Sequence, residues 1–249
     1  MKSKVKKTIL YTVLAFILVL VIAAVCYFQF TADGYRMTVP YRSSFEEIAE
    51  NVYINRDYAV SREDTIRLTD EAKERVEEFF GDLRCLDDTV FIFFDDDRSL
   101  QKLGGEKETY TVFFPSVKNY IMISNEHLNL DILSHELTHA EMHIRLSESA
   151  LKKLPSWFDE GIAVQNDYRE QYSLEQWIEQ TDNGNHTIAL EDMDEPSEFY
   201  AGTSEEKCFR YINAKHEVGE WMETHKQQGL LELIDELNNG EEFSTAYDK

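Results

Sequence analysis

The first feature of the pattern is an unbroken apolar run near the N-terminus. Residues 8–31 carry no charged side chain and consist mainly of Ile, Leu, Val, Ala and Phe. About 20 apolar residues in a helix match the ~30 Å hydrocarbon core of a bilayer. The run therefore predicts one transmembrane helix over residues 8–31.

Four lysines, at positions 2, 4, 6 and 7, precede this run. Lysine clusters mark the cytoplasmic side of a membrane helix, so we expect residues 1–7 in the cytoplasm and the later part outside it. A cleaved signal peptide has a shorter apolar core, about 7–15 residues, that ends at small residues. Here aromatic residues follow the small ones ("AAVCYFQF"), which favours an uncleaved anchor in a single-pass protein of the cell membrane.

After a connector at residues 32–44, the pattern alternates between two periods. Apolar positions three or four apart predict helices over residues 45–54, 69–83, 131–146, 156–167, 173–180 and most of 205–240. Runs rich in β-branched and aromatic residues predict strands over residues 89–94, 109–114 and 120–124, the last two as a hairpin. Strands followed by helices indicate a single α+β domain over residues 45–249.

Charge narrows the partners of this domain. Beyond residue 31 the chain has 21 basic and 48 acidic side chains. Nucleic acid and anionic lipid are therefore poor partners for the domain, because phosphate binding needs the opposite charge. Two cysteines, Cys85 and Cys208, fall in the exported part, where they either form one disulfide or remain two free thiols.

The candidate chemistry lies in the stretch "SHELTHAEMH". On a helix, His135 and His139 share one face, with Cβ atoms about 5–6 Å apart, and both imidazoles can bind one metal ion. Glu136 lies about 100° round the helix axis, where it reaches a metal-bound water rather than the metal. Two ligands and one general base in a single turn are typical of hydrolytic zinc sites.

A catalytic site of this kind needs a third protein ligand. His143 lies about 6 Å beyond His139 along the helix axis, too far for a rigid helix to bring it to the same ion. Glu160, in "LPSWFDEGIAVQ", comes 21 positions after His139, which leaves room for a loop and an antiparallel second helix. Asp159 competes with Glu160, and the small residues after Glu160 favour the glutamate.

The motif "HELTH" followed by "PSWFDEGIA" resembles the gluzincin metallopeptidases of the peptidase MA-like superfamily, most clearly over residues 131–165. The resemblance implies a small thermolysin-like zincin domain, with a few-stranded mixed sheet, active-site helices and a helical C-terminal part. It implies one Zn²⁺ ion held by His135, His139 and Glu160. It also implies that Glu136 is the general base and that the substrate is a peptide or protein.

Further roles follow from the resemblance alone. Residues 119–124 ("NYIMIS") would form the edge strand that pairs with an extended peptide. A tyrosine or histidine further along the chain would stabilise the oxyanion. Tyr211, in "RYINAKHEVGEW", is the first choice and His216 the second, ahead of Tyr200 and His225.

The predicted function is that of a membrane-anchored zinc metallopeptidase. The alternative is a non-catalytic binding or regulatory domain on the same scaffold. An intact Glu136 argues against this alternative, because a binding domain does not need the base. The carboxylate or amide that should orient a ligand histidine stays open between Asn166 and Asp167.

Overall fold

The computed structural model describes residues 2–96, 98, 110–113 and 118–249, with the backbone alone at residues 2–8 and 110–113. The strands are β1 (Phe45–Ala49), β2 (Val52–Asn55), β3 (Thr89–Phe94), β4 (Tyr110–Phe113) and β5 (Asn119–Ser124). The α-helices are α1 (Lys2–Phe30), α2 (Ala32–Thr38), α3 (Arg62–Phe80), α4 (Leu130–Arg145), α5 (Glu148–Leu151), α6 (Ser156–Ala163), α7 (Leu174–Gln180), α8 (Pro196–Phe199), α9 (Ser204–Asn238) and α10 (Phe243–Tyr247). Short 3-10 helices lie at Val39–Tyr41, Leu86–Asp88, Asn125–His127, Val164–Asn166, Glu170–Tyr172 and Leu190–Met193.

The five strands form one mixed sheet in the order β1-β2-β3-β5-β4. The two outer pairs, β1 with β2 and β4 with β5, are antiparallel. The two inner pairs, β2 with β3 and β3 with β5, are parallel. The predicted α+β class, with a few-stranded mixed sheet behind one N-terminal apolar helix, is confirmed.

Strands β2, β3 and β5 are buried on both faces of the sheet, since side chains alternate between the faces along a strand and nearly all of theirs are buried. Its inner face carries residues such as Phe91, Phe93 and Ile121, which pack with Leu133 and Leu137 of α4 in the main core. Its outer face belongs to a second core that contains these buried residues: Val39, Phe45, Tyr53, Val90, Ile92, Phe94, Tyr120 and Met122. Helices α3, α4, α6 and α9 thus lie on the inner side of the sheet.

The connector after α1 is ordered and helical. Residues of α2 and of the 3-10 helix at Val39–Tyr41 lie against the outer face of the sheet, where Tyr35 and Met37 contact the second core. Val39 is fully buried in it. The connector therefore covers the outer face of the sheet.

One predicted helix is wrong. Residues 45–54 form the antiparallel hairpin of β1 and β2, with Asn51 at positive φ in its turn. Val52, Tyr53 and Ile54 are all buried, because one face meets the helices and the other meets the connector. A strand that is buried on both faces has a continuous apolar run instead of an alternating pattern. The residues of β1, which precede this run, also place apolar side chains at helical spacing, so the whole segment fitted a helix.

The predicted strand hairpin is confirmed in the part described, since β4 pairs antiparallel with β5. Residues 109 and 114–117, which complete the predicted strand and most of the turn, lie outside the described residues. The prediction that residues 119–124 form an edge strand is wrong, because β5 lies between β3 and β4. Among the described residues, no further strand pairs with β4, so β4 has one free edge there.

Helix α1 contains the only described segment long and apolar enough to cross a membrane, Ile9–Phe30. Its side chains are exposed, with none of the burial expected of a core helix. The apolar run at residues 8–31, which predicts a transmembrane helix, thus lies almost entirely in a helix long enough to cross a membrane. Cys85 and Cys208 are free thiols, the first buried and the second half-buried.

Candidate metal centre

Helix α4 presents the histidines and is fixed at both ends. Its N-cap Asn129 accepts a hydrogen bond through Oδ1 from the backbone N–H of Ile132, at 2.8 Å. Near its other end, buried Glu141 accepts from the backbone N–H groups of Arg84 and Cys85 and from Nε of Arg145, at 2.6–2.9 Å. These bonds hold α4 to the loop after α3.

Helix α6 crosses α4 and brings a carboxylate to it. Pro155 precedes α6 in an extended conformation, and buried Trp157 and Phe158 pack into the core. Gly161 lets α6 approach α9 closely, because a Cβ there would lie 2.5 Å from Cγ2 of Val218 and 2.8 Å from the carbonyl oxygen of Ala214. Glu160 is held by this packing at the face of α4.

The structure brings the three predicted ligands together. Nε2 of His135 and Nε2 of His139 are 3.2 Å apart. Oε2 of Glu160 lies 3.3 Å from the first and 3.4 Å from the second. All three side chains are buried, and the nearly equilateral triangle of ligand atoms could hold one metal ion.

The ligand atoms have no other partners in the described part of the chain. Oε2 of Glu160 is buried there without a hydrogen bond. Burial alone would raise the pKa of Glu160, but the charge of His139 and the close approach of both histidines hold it well below its usual range. The carboxylate is therefore ionised and available, as a metal ligand must be.

Asp159, the competing carboxylate, lies behind His139 instead of at the triangle. Its Oδ1 is 3.3 Å from Nδ1 of His139, and its two oxygens lie 3.2 and 3.1 Å from Nε2 of His143. Burial opposes ionisation, yet the charges of His143 and His139 keep the pKa of Asp159 well below its usual range. Asp159 thus orients the ring of His139 through the nitrogen that does not face the triangle.

This arrangement gives His143 a place next to the site. With His139 and Asp159 it forms a second group of potential ligands. The 3.3 Å contact of Asp159 with His139 and its hydrogen bonds with His143 fit a carboxylate that supports both rings as well as they fit a metal site. His143 does not reach the ligand triangle.

Asp167 lies behind the other histidine, with Oδ2 3.9 Å from Nδ1 of His135. Arg169 binds both carboxylate oxygens of Asp167, and Lys215 donates to its carbonyl oxygen at 2.5 Å. Asn166, the other candidate, donates instead to Oγ1 of Thr138 at 2.9 Å. Asp167 therefore faces a predicted ligand histidine, but at 3.9 Å it does not hydrogen-bond to it.

Glu136 and two tyrosines line the other side of the triangle. Glu136 is buried on α4, next to His135. The hydroxyl of Tyr200 donates a short hydrogen bond to Oε1 of Glu160. The ring of half-buried Tyr211 lies 6.1 Å from that of His135. Burial and then the charge of Glu160 raise the pKa of both tyrosines, and Glu136 adds to this, so both hydroxyls stay protonated.

The other oxyanion candidates lie elsewhere. His216 stacks on Trp177 with ring centroids 3.5 Å apart, and both line a cavity of about 440 Å³. None of the three triangle residues lines that cavity. His225 stacks on Trp221 and bonds its carbonyl oxygen through Nδ1. Neither histidine is therefore placed as a donor at the triangle.

Sequence reasoning missed two contacts at the site. Asp159 was considered only as a ligand, although its place beside Glu160 on a helix turns it about 100° away, towards the other face of His139. Tyr200 lies 40 positions from Glu160 in an irregular segment between α8 and α9. No periodicity or motif in that segment signals the contact.

Comparison with known proteins adds no relative. The chain matches no protein-family model, and no curated protein is similar to it. Function must therefore be argued from the residues and their geometry.

Proposed function

We propose that the protein is a membrane-anchored zinc metallopeptidase of the gluzincin type, with a thermolysin-like catalytic domain outside the cytoplasm. The observation that carries the proposal is the triangle of His135, His139 and Glu160. With zinc–ligand bonds of roughly 2.0–2.1 Å, two ligands of a tetrahedral ion lie about 3.3–3.4 Å apart. The three distances of 3.2, 3.3 and 3.4 Å match that spacing.

The ligand chemistry favours zinc over harder ions. Two imidazoles and one carboxylate are typical of catalytic zinc, whereas Mg²⁺ and Ca²⁺ take mainly oxygen ligands. Three protein ligands leave one position for water. A zinc ion held by these three residues would lower the pKa of the water in that position towards ~7 and would polarise the carbonyl group of the substrate.

The chain's own residues would do the rest of the chemistry. Glu136 would accept the proton of the attacking water and pass it to the leaving amine. Tyr200 holds Oε1 of Glu160, so that Oε2 alone faces the histidines. Tyr211 is our candidate donor to the oxyanion, because its hydroxyl is protonated and its ring lies beside His135.

The location is part of the proposal. The exposed apolar helix α1 would cross the membrane with its four lysines on the cytoplasmic side. The rival function is a non-catalytic binding or regulatory domain that uses the same metal group. A buried glutamate at position 136, beside the ligands, favours the peptidase.

Metal analysis of the purified full chain, combined with a peptide-cleavage assay, tests the proposal. We expect one zinc per chain, lost in His139→Ala and kept in Glu136→Gln. Cleavage should fall ~10²–10⁴-fold in Glu136→Gln, the usual contribution of a general base. His186→Ala and Glu148→Gln alter exposed side chains of the same types and serve as controls.

The outcomes separate the alternatives. A parent chain that retains no stoichiometric zinc would remove the metal site itself. Full cleavage by Glu136→Gln would leave the metal but exclude the mechanism. A zinc-loaded parent that cleaves no member of a broad peptide library would favour the binding domain.

A further inference from the structure

The junction between the apolar helix and the sheet is closely packed. Thr31 caps α2 by accepting from the N–H of Gly34 at 3.1 Å, and its hydroxyl donates to the carbonyl oxygen of Tyr27 at 2.7 Å. A Cβ on Gly34 would lie 2.3 Å from the same carbonyl oxygen and 2.7 Å from Cα of Phe28. Helix α2 can therefore lie against the last turn of α1 only because residue 34 is glycine.

Arg42 adds a second bond across the junction. Its guanidinium donates to the carbonyl oxygen of Phe28 at 2.6 Å and to Oε1 of Gln29 at 3.2 Å. Its Nε donates to Oγ1 of Thr38, and the group lies 3.6 Å from the centre of the Tyr35 ring. A cation thus satisfies carbonyl groups at the C-terminus of α1, where the helix dipole favours positive charge.

We name residues 31–42 the elbow. The elbow is tied to α1 on one side and to the sheet on the other. Tyr35 packs edge-on against Phe45 with ring centroids 6.3 Å apart, and Val39 is buried in the outer core. After the elbow, the backbone N–H of Phe45 donates to the carbonyl oxygen of Arg42 at 3.0 Å, so the connection to β1 is also hydrogen-bonded.

The charge distribution indicates what lies next to the elbow. Residues 31–45 contain one acidic and two basic side chains, whereas residues 46–249 contain 47 acidic and 19 basic ones. A strongly acidic domain is repelled by anionic lipid, and the elbow is the part that lacks this charge.

Exposed aromatic side chains lie in the elbow and directly before it. Tyr41 in the elbow is 87% exposed, and Phe30, the last residue of α1, is 84% exposed. Tyr27 and Phe28 form an edge-on pair in the last turn of α1. Aromatic residues at the end of a membrane helix are typical of the lipid headgroup region.

We propose that the elbow and the exposed aromatic side chains next to it form a lipid-contacting surface, which docks the domain on the extracytoplasmic leaflet in a fixed orientation. The inference rests on the membrane anchor of the proposed function but not on peptidase activity. The metal group lies on the opposite side of the sheet, since α4 and α6 pack on its inner face. With packed layers about 10 Å apart, the metal lies on the order of 20 Å from the elbow. The enzyme would then act on chains presented at a set height above the membrane.

Rigid docking is tested by time-resolved anisotropy of the full chain in phosphatidylcholine nanodiscs. A dye is placed by Glu205→Cys in a Cys26→Ser, Cys208→Ser background, which leaves only the buried Cys85. We expect the dye to report slow tumbling together with the disc. Gly34→Ala should remove this slow component, and so should a flexible Gly/Ser insertion after Phe30.

Gly219→Ala is the matched control, because the nearest atom to its added Cβ would be Oε1 of Gln165 at 3.5 Å. It should keep the slow component. Circular dichroism of each variant shows that the domain is folded. Domain tumbling independent of the disc in the parent chain, or a slow component that survives the insertion, would overturn the proposal.

Lipid contact is tested by energy transfer from the same dye to a headgroup-labelled lipid. Phe30→Ser and Tyr41→Ser should lower the transfer, while Leu174→Ser, a 58% exposed apolar residue far from the elbow in sequence, should not. Equal energy transfer in all three variants would exclude lipid contact by Phe30 and Tyr41. Failure of the chain to insert into nanodiscs would overturn the anchor as well, whereas insertion with free tumbling would overturn the docking alone.

Discussion

At the scale of residues, two adjacent carboxylates contact different ring nitrogens of His139. Glu160 meets its Nε2 atom and Asp159 meets its Nδ1 atom, at 3.4 and 3.3 Å. The division follows from helix geometry, because consecutive side chains on α6 point about 100° apart. An imidazole held from behind by a carboxylate is fixed in orientation and is a stronger base towards a metal.

Asp159→Asn should therefore weaken zinc binding ~10–100-fold without removing a ligand. Asparagine keeps the size of the side chain but loses the charge that polarises the ring. The measurement is zinc affinity by competition with a chelator. Asp57→Asn, at an exposed position, is the control. Unchanged affinity in Asp159→Asn would mean that the packing of α4 alone orients His139.

Zinc binding should also depend on pH through His139. Burial lowers its pKa, but Asp159 and then Glu160 raise it well above its usual value, so the metal-free imidazole holds a proton at neutral pH. Zinc must displace that proton, so affinity should fall about tenfold per pH unit below the raised pKa and level off above it.

Calorimetric titration with zinc in two buffers of different ionisation enthalpy measures the released protons directly. We expect proton release near neutral pH from the parent chain. His186→Ala removes an exposed histidine and should leave the number unchanged. Release of no protons at neutral pH would show that His139 is neutral before the metal binds.

At the scale of elements, the position of the third ligand depends on the contact between α6 and α9. Gly161 sits where the two helices are closest, against Ala214 and Val218. Glycine in a helix costs roughly 0.5–1 kcal/mol relative to alanine. Here that cost is offset by an approach that places Glu160 at the histidines.

Gly161→Ala should consequently destabilise the protein by about 1–3 kcal/mol, the usual effect of overpacking. Gly219→Ala on α9 should be neutral or stabilising, because its Cβ would meet only ordinary contacts. Denaturant unfolding of both variants gives the comparison. The same free energy of unfolding for the two would show that α6 can shift without cost.

The elements differ in how far sequence could predict them. Helices α4 and α6 and strand β3 follow from local periodicity and were predicted, as was α3 from residue 69 onward, while its first seven residues were missed. The hairpin of β1 and β2 was not, because its burial on both faces depends on the connector, which is a tertiary feature. The same limit applies to the site: His135, His139 and Glu160 follow from motif spacing, whereas Tyr200 reaches Glu160 only through the folded loop.

At the scale of the whole molecule, the sheet separates two parts of the chain. Its inner face supports the helices that carry the candidate metal ligands, and its outer face is covered by the segment that leads from α1. Covering both faces is what mixed sheets with parallel pairs require. The segment after α1 is thus part of the fold as well as a link.

A chain that begins at Thr31 should therefore be more stable than one that begins at Phe45. The shorter chain loses Tyr35, Met37 and Val39 from the outer core. Fully burying one apolar side chain contributes about 1.5–3 kcal/mol. Val39 is fully buried and Tyr35 and Met37 are partly buried, so their combined loss is a sizeable part of the roughly 5–15 kcal/mol that stabilises a whole domain. The chain from Phe45 should unfold at lower denaturant concentration and aggregate through Tyr120, Met122 and their neighbours.

Thermal unfolding and size-exclusion chromatography compare the two chains, with Val39→Ser and Tyr41→Ser in the longer chain as an internal pair. Val39 is 1% exposed and Tyr41 is 87% exposed, so only the first should lower the unfolding midpoint. Equal midpoints for the two chain lengths would show that the sheet is stable with a bare outer face. Because that face would then be free, the elbow could move with the anchor, and the metal centre would no longer be held at a set distance from the membrane.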